Sequence, residues 1–436
     1  MKFTSFYIRK YTTDGEMILF NTFSGKIVKV TQEYVAIVEN MINKKHFPED
    51  NSYVYERLNN AGFITDDTID EFKIADTYLE MQLNQRKTLC ITIMPTEDCN
   101  FRCVYCYETH KEGSMDEMTI TNTIKYIKER IPEINALSIA WFGGEPLLEL
   151  DIIKRISQEL IKECKKYHVL YHAFMTTNGY LLTYDTFRLL YQKCHVTTFQ
   201  ITLDGCQYTH DQQRFLKNGD GTFQTIWNNL IEIKKHTENR FFCIDIRTNF
   251  SKFIYDESLN AFVKLLDDTF GGDQRFSLIW RKTFGIDDED CITQEQYSSM
   301  FGLLTNSNLN LSSEYRLALP LLGLCAACKK GNLVIGADGT IYKCTVALNR
   351  EENKIGNINK YDEMDQDKLN FWETRRKESQ TFATQCSSCN VYPICMACIC
   401  PNNMYADNNI VCKKQNLDII REKLVMFSRM ANCIVI

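Results

Sequence analysis

The stretch Leu89–Glu108, LCITIMPTEDCNFRCVYCYE, decides how this chain reads. Its opening residues are apolar and β-rich, as in a buried strand. That strand runs straight into a loop carrying Cys99, Cys103 and Cys106, a Cys-x3-Cys-x2-Cys spacing. Three thiolates so placed can hold three irons of a [4Fe–4S] cube and leave the fourth iron without a protein ligand. A structural zinc site wants four closed ligands, and the nearest further donor, His110, gives no finger spacing.

Outward from this stretch, strands and helices alternate. Ser114 and Glu117 have capping-box spacing ahead of the helical run MDEMTITNTIKYIKERI. LSIAWF, VLYHAFMT, VTTFQITL, FFCIDIRTNF and RFSLIWRKT are five further strand-like runs with helical stretches between them. Six β/α repeats over residues 86–310 predict an α/β fold with a parallel sheet covered by helices, either an incomplete barrel or a doubly wound sheet. In both arrangements the chemistry belongs at the C-terminal ends of the strands. The unusual residues fall there: Trp141-Phe142-Gly143-Gly144-Glu145-Pro146, Thr176-Thr177-Asn178-Gly179, Gln200-Ile201-Thr202-Leu203-Asp204-Gly205, and Arg247 with Asn249.

This series behind CxxxCxxC resembles the radical S-adenosylmethionine (SAM) superfamily. The resemblance implies a partial (β/α)6 barrel whose cluster binds SAM through its open iron and generates a 5′-deoxyadenosyl radical. It implies that Gly143, Gly144, Glu145 and Pro146 form the family's GGEP segment, with Glu145 suited to the methionine ammonium. Thr177, Asn178, Asp204 and Arg247 are the further expected SAM contacts, Arg247 toward the carboxylate. The segment His210–Phe223, HDQQRFLKNGDGTF, resembles the peptide- and sulfatase-modifying branch of the superfamily. No catalytic base stands out; Asp204 and Asp245 are candidates by location.

Within the last segment, residues 311–436, nine of the 19 cysteines sit between 325 and 412. GADGTIYKC reads as a hairpin turning at Asp338-Gly339. Cys325, Cys328, Cys344, Cys386, Cys389, Cys395 and Cys412 resemble the SPASM extension of peptide-modifying radical SAM enzymes, which implies two auxiliary [4Fe–4S] clusters and three in all. By that resemblance Cys386, Cys389, Cys395 and Cys412 hold the outer cluster. Cys325, Cys328 and Cys344 hold the inner one, completed by a cysteine from CMACIC. Relatives place that last ligand three residues on, whereas this chain has Cys398 after two and Cys400 after four. Pro401 follows Cys400 as it follows the ligand in many relatives, which favours Cys400. Without either, the inner cluster keeps an open iron. Two four-thiolate zinc sites are the competing reading of these cysteines.

The first 85 residues carry three strand-like runs, SFYIRKY, MILFNTFSG and KIVKVT, with turns at Asp14-Gly15 and Ser24-Gly25. Two amphipathic helices and a linker helix, TIDEFKIADTYLEMQLNQRK, follow. The pattern is winged-helix-like and resembles the PqqD-like domains through which peptide maturases bind a leader sequence as an added strand.

Lys+Arg 50 against Asp+Glu 56 gives a net charge of −6, so the chain has no bulk attraction for nucleic acid or an anionic membrane. There is no apolar run of spanning length and no signal-peptide core, which predicts a cytoplasmic protein. A disulfide framework is disfavoured in a large reduced protein, leaving metal ligation for the cysteines. The expected function is a radical SAM oxidoreductase that forms a thioether or carbon–carbon crosslink in a ribosomal precursor peptide, reduced by a flavodoxin or ferredoxin. Formylglycine formation in a sulfatase is the alternative enzyme. An iron–sulfur redox-sensing transcription factor is the alternative of another class, opposed by the acidic charge and the lack of a basic stripe.

Overall fold

The computed structural model describes residues 1–43, 53–84, 87–110, 113–237, 241–283, 293–311, 325–374, 386–395, 421, 424, 428 and 433–436. They fall into two compact units. One joins residues 1–84 to the described parts of 313–329 and 373–436; the other joins 85–312 to 330–372. The expected three consecutive segments, 1–85, 86–310 and 311–436, do not coincide with these units, because the cysteine-rich tail is shared between them.

The smaller unit begins with β1 (Lys2–Phe3), β2 (Tyr7–Tyr11), β3 (Met17–Asn21) and β4 (Ile27–Val30). Next come α1 (Gln32–Asn43), α2 (Tyr53–Asn60), β5 (Ile64–Thr65) and α3 (Glu71–Leu83). β2, β3 and β4 form an antiparallel meander. Its turns fall where expected, with Gly15 at φ +76° and Gly25 at φ +74°. One face of the meander buries Met17, Leu19, Val28 and Val30 against Val38 of α1 and Leu58 of α2. The other buries Ile8, Ile18 and Phe20 against Val391, Ile394 and Leu424. α3 is more than a linker. Asp70 caps it by accepting from the Lys73 amide, and Ala75, Leu79 and Leu83 pack with Phe6 and Tyr392.

The larger unit contains β6 (Thr88–Ile93), α4 (Glu117–Lys128), β7 (Ala136–Trp141), α5 (Leu150–Lys166), β8 (Leu170–Thr177) and α6 (Tyr184–Lys193). It continues through β9 (Val196–Thr202), α7 (Gln207–Gln213), α8 (Phe223–His236), β10 (Cys243–Phe250), α9 (Lys252–Phe270), β11 (Phe276–Lys282) and α10 (Gln294–Thr305). It ends with β12 (Asn332–Ile335), β13 (Thr340–Tyr342), β14 (Lys354–Asn357) and α11 (Gln366–Thr374). A helical turn, Tyr392–Cys395, and β15 (Ile434–Val435) belong to the smaller unit.

Among the described residues the large sheet has nine strands in the order β11-β10-β9-β8-β7-β6-β12-β13-β14. β6 to β11 are parallel and strictly sequential. A doubly wound sheet reverses its strand order partway, so sequential winding selects the partial-barrel alternative. β12 lies parallel to β6, and the expected Asp338-Gly339 hairpin joins it to β13. That pairing makes the hairpin part of the large sheet.

Two local expectations need correction. α4 is capped by Asp116, whose carboxylate accepts from the Thr119 amide; Ser114 instead donates to Glu149. The parallel sheet is not buried on both faces either. In β8, Ala173, Met175 and Thr177 are buried while His172 and Phe174 are exposed and Thr176 is half-buried. β10 alternates the same way, with Cys243, Asp245 and Arg247 on the more open face. β7, by contrast, is buried on both faces from Leu137 to Trp141.

Candidate active site

The cysteine loop lies across the end of β7 because two glycines let it. The Gly144 amide donates to Thr96 O (3.3 Å) and the Glu145 amide to Asp98 O (2.9 Å). A Cβ on Gly144 would sit 2.3 Å from Asp98 O. Gly143, at φ +116°, would place one 2.3 Å from Thr96 O. Both positions therefore exclude any other residue without moving the loop.

The far side of the loop is held by the segment after α7. The Arg102 amide donates to Phe215 O (2.8 Å), Val104 to Gln213 O (3.0 Å) and Lys217 to Asn100 O (3.0 Å). This segment is organised by buried polar groups. Asp211 Oδ1 accepts from the amides of Thr222 (2.7 Å) and Phe223 (2.9 Å) at the start of α8. His210 Nδ1 accepts from the Asp204 amide (3.1 Å), so its proton sits on Nε2, which donates to Thr222 Oγ1 (3.1 Å). Burial and then the nearby Arg214 charge hold His210 well below the usual histidine range, as a neutral ring.

Cys99, Cys103 and Cys106 line one pocket of about 310 Å³. Gly143, Gly144, Thr177, Asn178 and Arg247 line it too, as expected. Burial raises all three thiols, Cys99 to about 12, so ligation there would have to displace protons. Cys106 Sγ lies 3.6 Å from His110 Nε2, and Asn178 Nδ2 lies 3.9 Å from Cys99 Sγ. Among the described residues, no three Cys, His, Asp or Glu side chains converge into a ready metal-holding set.

Four expected site residues do not line the pocket: Glu145, Pro146, Asp204 and Asp245. Glu145 is fully buried, and its carboxylate is already occupied. Oε1 accepts from the Leu147 amide (3.0 Å) and Thr177 Oγ1 (2.7 Å), and Oε2 accepts from the Asn178 amide (2.7 Å). It clamps the end of β7 to the end of β8. Pro146 begins the short helical turn that follows. Asp204 is also buried, accepting from the Tyr105 hydroxyl and from the Asn249 amide (2.7 Å). Asp245 stands lower on β10, accepting from Ser277.

Two pocket residues that the sequence reading did not assign supply the open polar atoms. Arg214 is 6% exposed, donates to the Tyr105 hydroxyl (3.0 Å) and leaves Nε without a partner among the described residues. Glu108 leaves Oε2 buried and likewise unpartnered, and burial with the charges of Glu97 and Glu145 lifts its pKa to about 7. A pocket walled by three thiols, with one guanidinium and one carboxylate oxygen unsatisfied, fits a cluster with a zwitterionic ligand. The signal for Arg214 was present in HDQQR; the signal for Glu108 was only its nearness to Cys106.

Of the expected auxiliary ligands, Cys325 and Cys328 form a tight turn, the Cys328 amide donating to Cys325 O (3.0 Å). Cys386 and Cys389 form a second (3.1 Å), and Cys395 closes the helical turn. Cys328, Cys386 and Cys389 pack against the same apolar cluster around Phe6, Leu79 and Tyr392. Cys344 follows β13 in the larger unit, its amide donating to Asn353 Oδ1 (2.9 Å). Cys398, Cys400 and Cys412 lie outside the described residues.

Residues 93–266 match the family model described as Radical SAM superfamily, so the chain carries a radical SAM domain over that span. The cysteine-type anaerobic sulfatase-maturating enzyme of Clostridium novyi (strain NT) is 24% identical over 350 residues, 71% of this chain and 87% of that one. The radical SAM cyclopropyl synthase TigE of Paramaledivibacter caminithermalis is 24% identical over 240 residues, 47% of this chain and 50% of that one. The solved structure described as native anSMEcpe with bound AdoMet and Kp18Cys peptide has a TM-score of 0.55 at 20% identity, covering 71% of this chain and 88% of that one. That likeness shows the fold. No helix among the described residues is long and apolar enough to cross a membrane.

Proposed function

We propose that the chain is a radical SAM peptide maturase that forms a thioether, or carbon–carbon, crosslink in a ribosomally made precursor peptide. The observation that carries the radical SAM part is the pocket in which Cys99, Cys103 and Cys106 meet Asn178, Arg214 and Arg247 at the strand ends. A cluster held by the three cysteines, together with SAM, supplies a 5′-deoxyadenosyl radical able to take hydrogen from an unactivated carbon. The chain's own residues bind and orient. Arg214 and Arg247 offer fork-shaped donors to a carboxylate, and Glu108 offers an acceptor to an ammonium. Glu145 and Asp204 fix the strand ends that carry these groups.

The peptide part is supported by the separate small sheet, whose β2 edge pairs with no further strand among the described residues and suits an added leader strand, and by the cysteine pairs of the tail. Cys325, Cys328, Cys344, Cys386, Cys389, Cys395 and Cys412, with Cys398 or Cys400, would hold two auxiliary [4Fe–4S] clusters. A flavodoxin or ferredoxin would supply electrons in the cytoplasm. The second reading, formylglycine formation in a sulfatase, is favoured by the match to the Clostridium novyi enzyme across most of that protein.

Mass spectrometry of a candidate precursor after anaerobic incubation with SAM and reductant separates the two. A crosslink removes two hydrogens and makes one cysteine resistant to alkylation if a thioether forms. Formylglycine adds an aldehyde that a hydrazide traps. Neither change, with a candidate precursor or with a sulfatase peptide, would defeat both readings.

A further inference from the structure

The chain itself occupies one edge of the small sheet. Its order is β15-β4-β3-β2, with β15 running parallel to β4. Ile434 stands opposite Val28, and Val435 opposite Lys29. The Ile436 amide donates to Lys29 O (2.8 Å), the Thr31 amide donates to Ile436 O (2.7 Å), and the Tyr53 hydroxyl reaches Val435 O (3.2 Å). Ile434 and Ile436 turn inward onto the cluster of Val28, Val30, Val38 and Leu58, where Ile436 is 3% exposed. Val435 points away and is 47% exposed.

This arrangement specifies what the edge accepts. It takes an extended segment parallel to β4, with apolar side chains at alternate positions and a free choice between them. The edge backbone supplies the Lys29 carbonyl and the Thr31 amide, groups that read no particular sequence. Lys29, the charge on β4, is paired with Glu16 at 2.9 Å, so the edge presents no unpaired cation to such a segment. Among the described residues the ladder with β4 spans two residues, where an average strand has about five or six.

We propose that Ile434–Ile436 is a displaceable plug, which holds the β4 edge closed until an extended apolar segment of the peptide substrate takes its place. The proposal rests on the reading of the substrate as a peptide. It adds that the chain competes with its own substrate for this edge. No bond is made or broken in the exchange; one set of backbone hydrogen bonds replaces another. An extended segment with the same alternation that also pairs with Ile27, the first residue of β4, makes a longer ladder and so outcompetes it.

The test uses the full chain, a variant lacking residues 433–436, and the double variant Ile434→Asp/Ile436→Asp. The probe is a fluorescein-labelled synthetic peptide with the sequence of residues 429–436, carrying serine in place of Cys433. Fluorescence anisotropy should show the probe binding both variants at least tenfold more tightly than the intact chain. A probe with aspartate at both isoleucine positions should bind none of them. Equal affinity for intact and altered chains, or no binding to a variant that circular dichroism shows folded, would overturn the proposal. Unfolding of both variants would overturn it as well, because a segment the unit cannot release is no plug. The assay needs neither SAM, cluster nor substrate, so its failure leaves the maturase reading standing. Failure of that reading in turn leaves the measured plug intact.

Discussion

The Arg214 guanidinium donates to the Tyr105 hydroxyl at 3.0 Å, tying the residue between Cys103 and Cys106 to the segment that follows α7. The Tyr105 hydroxyl also accepts from Asn249 Nδ2 (3.0 Å) and donates to Asp204. One hydroxyl thus joins the cysteine loop to the ends of β9 and β10. Burial raises the Asp204 carboxyl and Arg214 opposes that shift, so the pair is held in place by mutual need.

Tyr105→Phe should therefore leave Arg214 and Asp204 each short of a partner. We expect a loss of about 1–3 kcal/mol on denaturant unfolding of the protein. Arg214→Gln should also lower stability, because it removes the nearby cation that favours the buried Asp204 carboxylate. Arg214→Lys should restore charge without the fork and recover stability better than SAM binding, measured by calorimetry. Equal recovery of both would show that the guanidinium geometry is not used.

Gly144→Ala should displace the cysteine loop, since the added Cβ meets Asp98 O at 2.3 Å. Iron bound per chain after anaerobic reconstitution should fall while the far-UV circular dichroism stays that of the parent. Full iron content in the variant would mean that the loop can shift without losing its ligands.

Glu145→Gln keeps the shape but turns one acceptor oxygen into an NH2 group. That group would face the Asn178 amide or the Thr177 hydroxyl that now donate to the carboxylate. About 1–3 kcal/mol should be lost in unfolding experiments. A loss confined to SAM affinity, with stability unchanged, would instead favour the ammonium-binding role first expected of Glu145.

Much of this was legible in the sequence, for reasons of period. The alternation of apolar runs gave β6 to β11 to within a residue or two, and Asp14-Gly15, Ser24-Gly25 and Asp338-Gly339 marked the turns of the β2–β4 meander and of the β12–β13 hairpin, because positive φ favours glycine there. The donors around Glu145 were not legible, because a motif names a residue and not the groups that surround it. The pairing of β12 with β6 joins residues far apart in the chain, and no local pattern encodes it. The half-open face of the sheet was missed for a related reason. His172, Phe174 and Gln200 sit within runs apolar enough to read as strands buried on both sides.

His210 gives the pH dependence. Its folded-state pKa is depressed, so between that value and about 6.5 the unfolded chain binds a proton that the folded chain does not. Stability is therefore complete above about pH 6.5 and falls as pH is lowered, by at most about 1.4 kcal/mol per pH unit from this group. His210→Gln should flatten that slope in urea unfolding between about pH 7 and about pH 5. An unchanged slope would show that other groups govern it.

The most direct measurement is 5′-deoxyadenosine released from SAM by the anaerobically reconstituted, reduced protein, compared with the Cys99→Ala/Cys103→Ala/Cys106→Ala variant. The intact chain should release it, and the triple variant should release none. The variant should still retain iron from its C-terminal cysteines, about eight atoms per chain against about twelve, if two four-iron clusters sit there. Continued release of 5′-deoxyadenosine by the triple variant would contradict the assignment of the pocket, and with it the account of what this chain does.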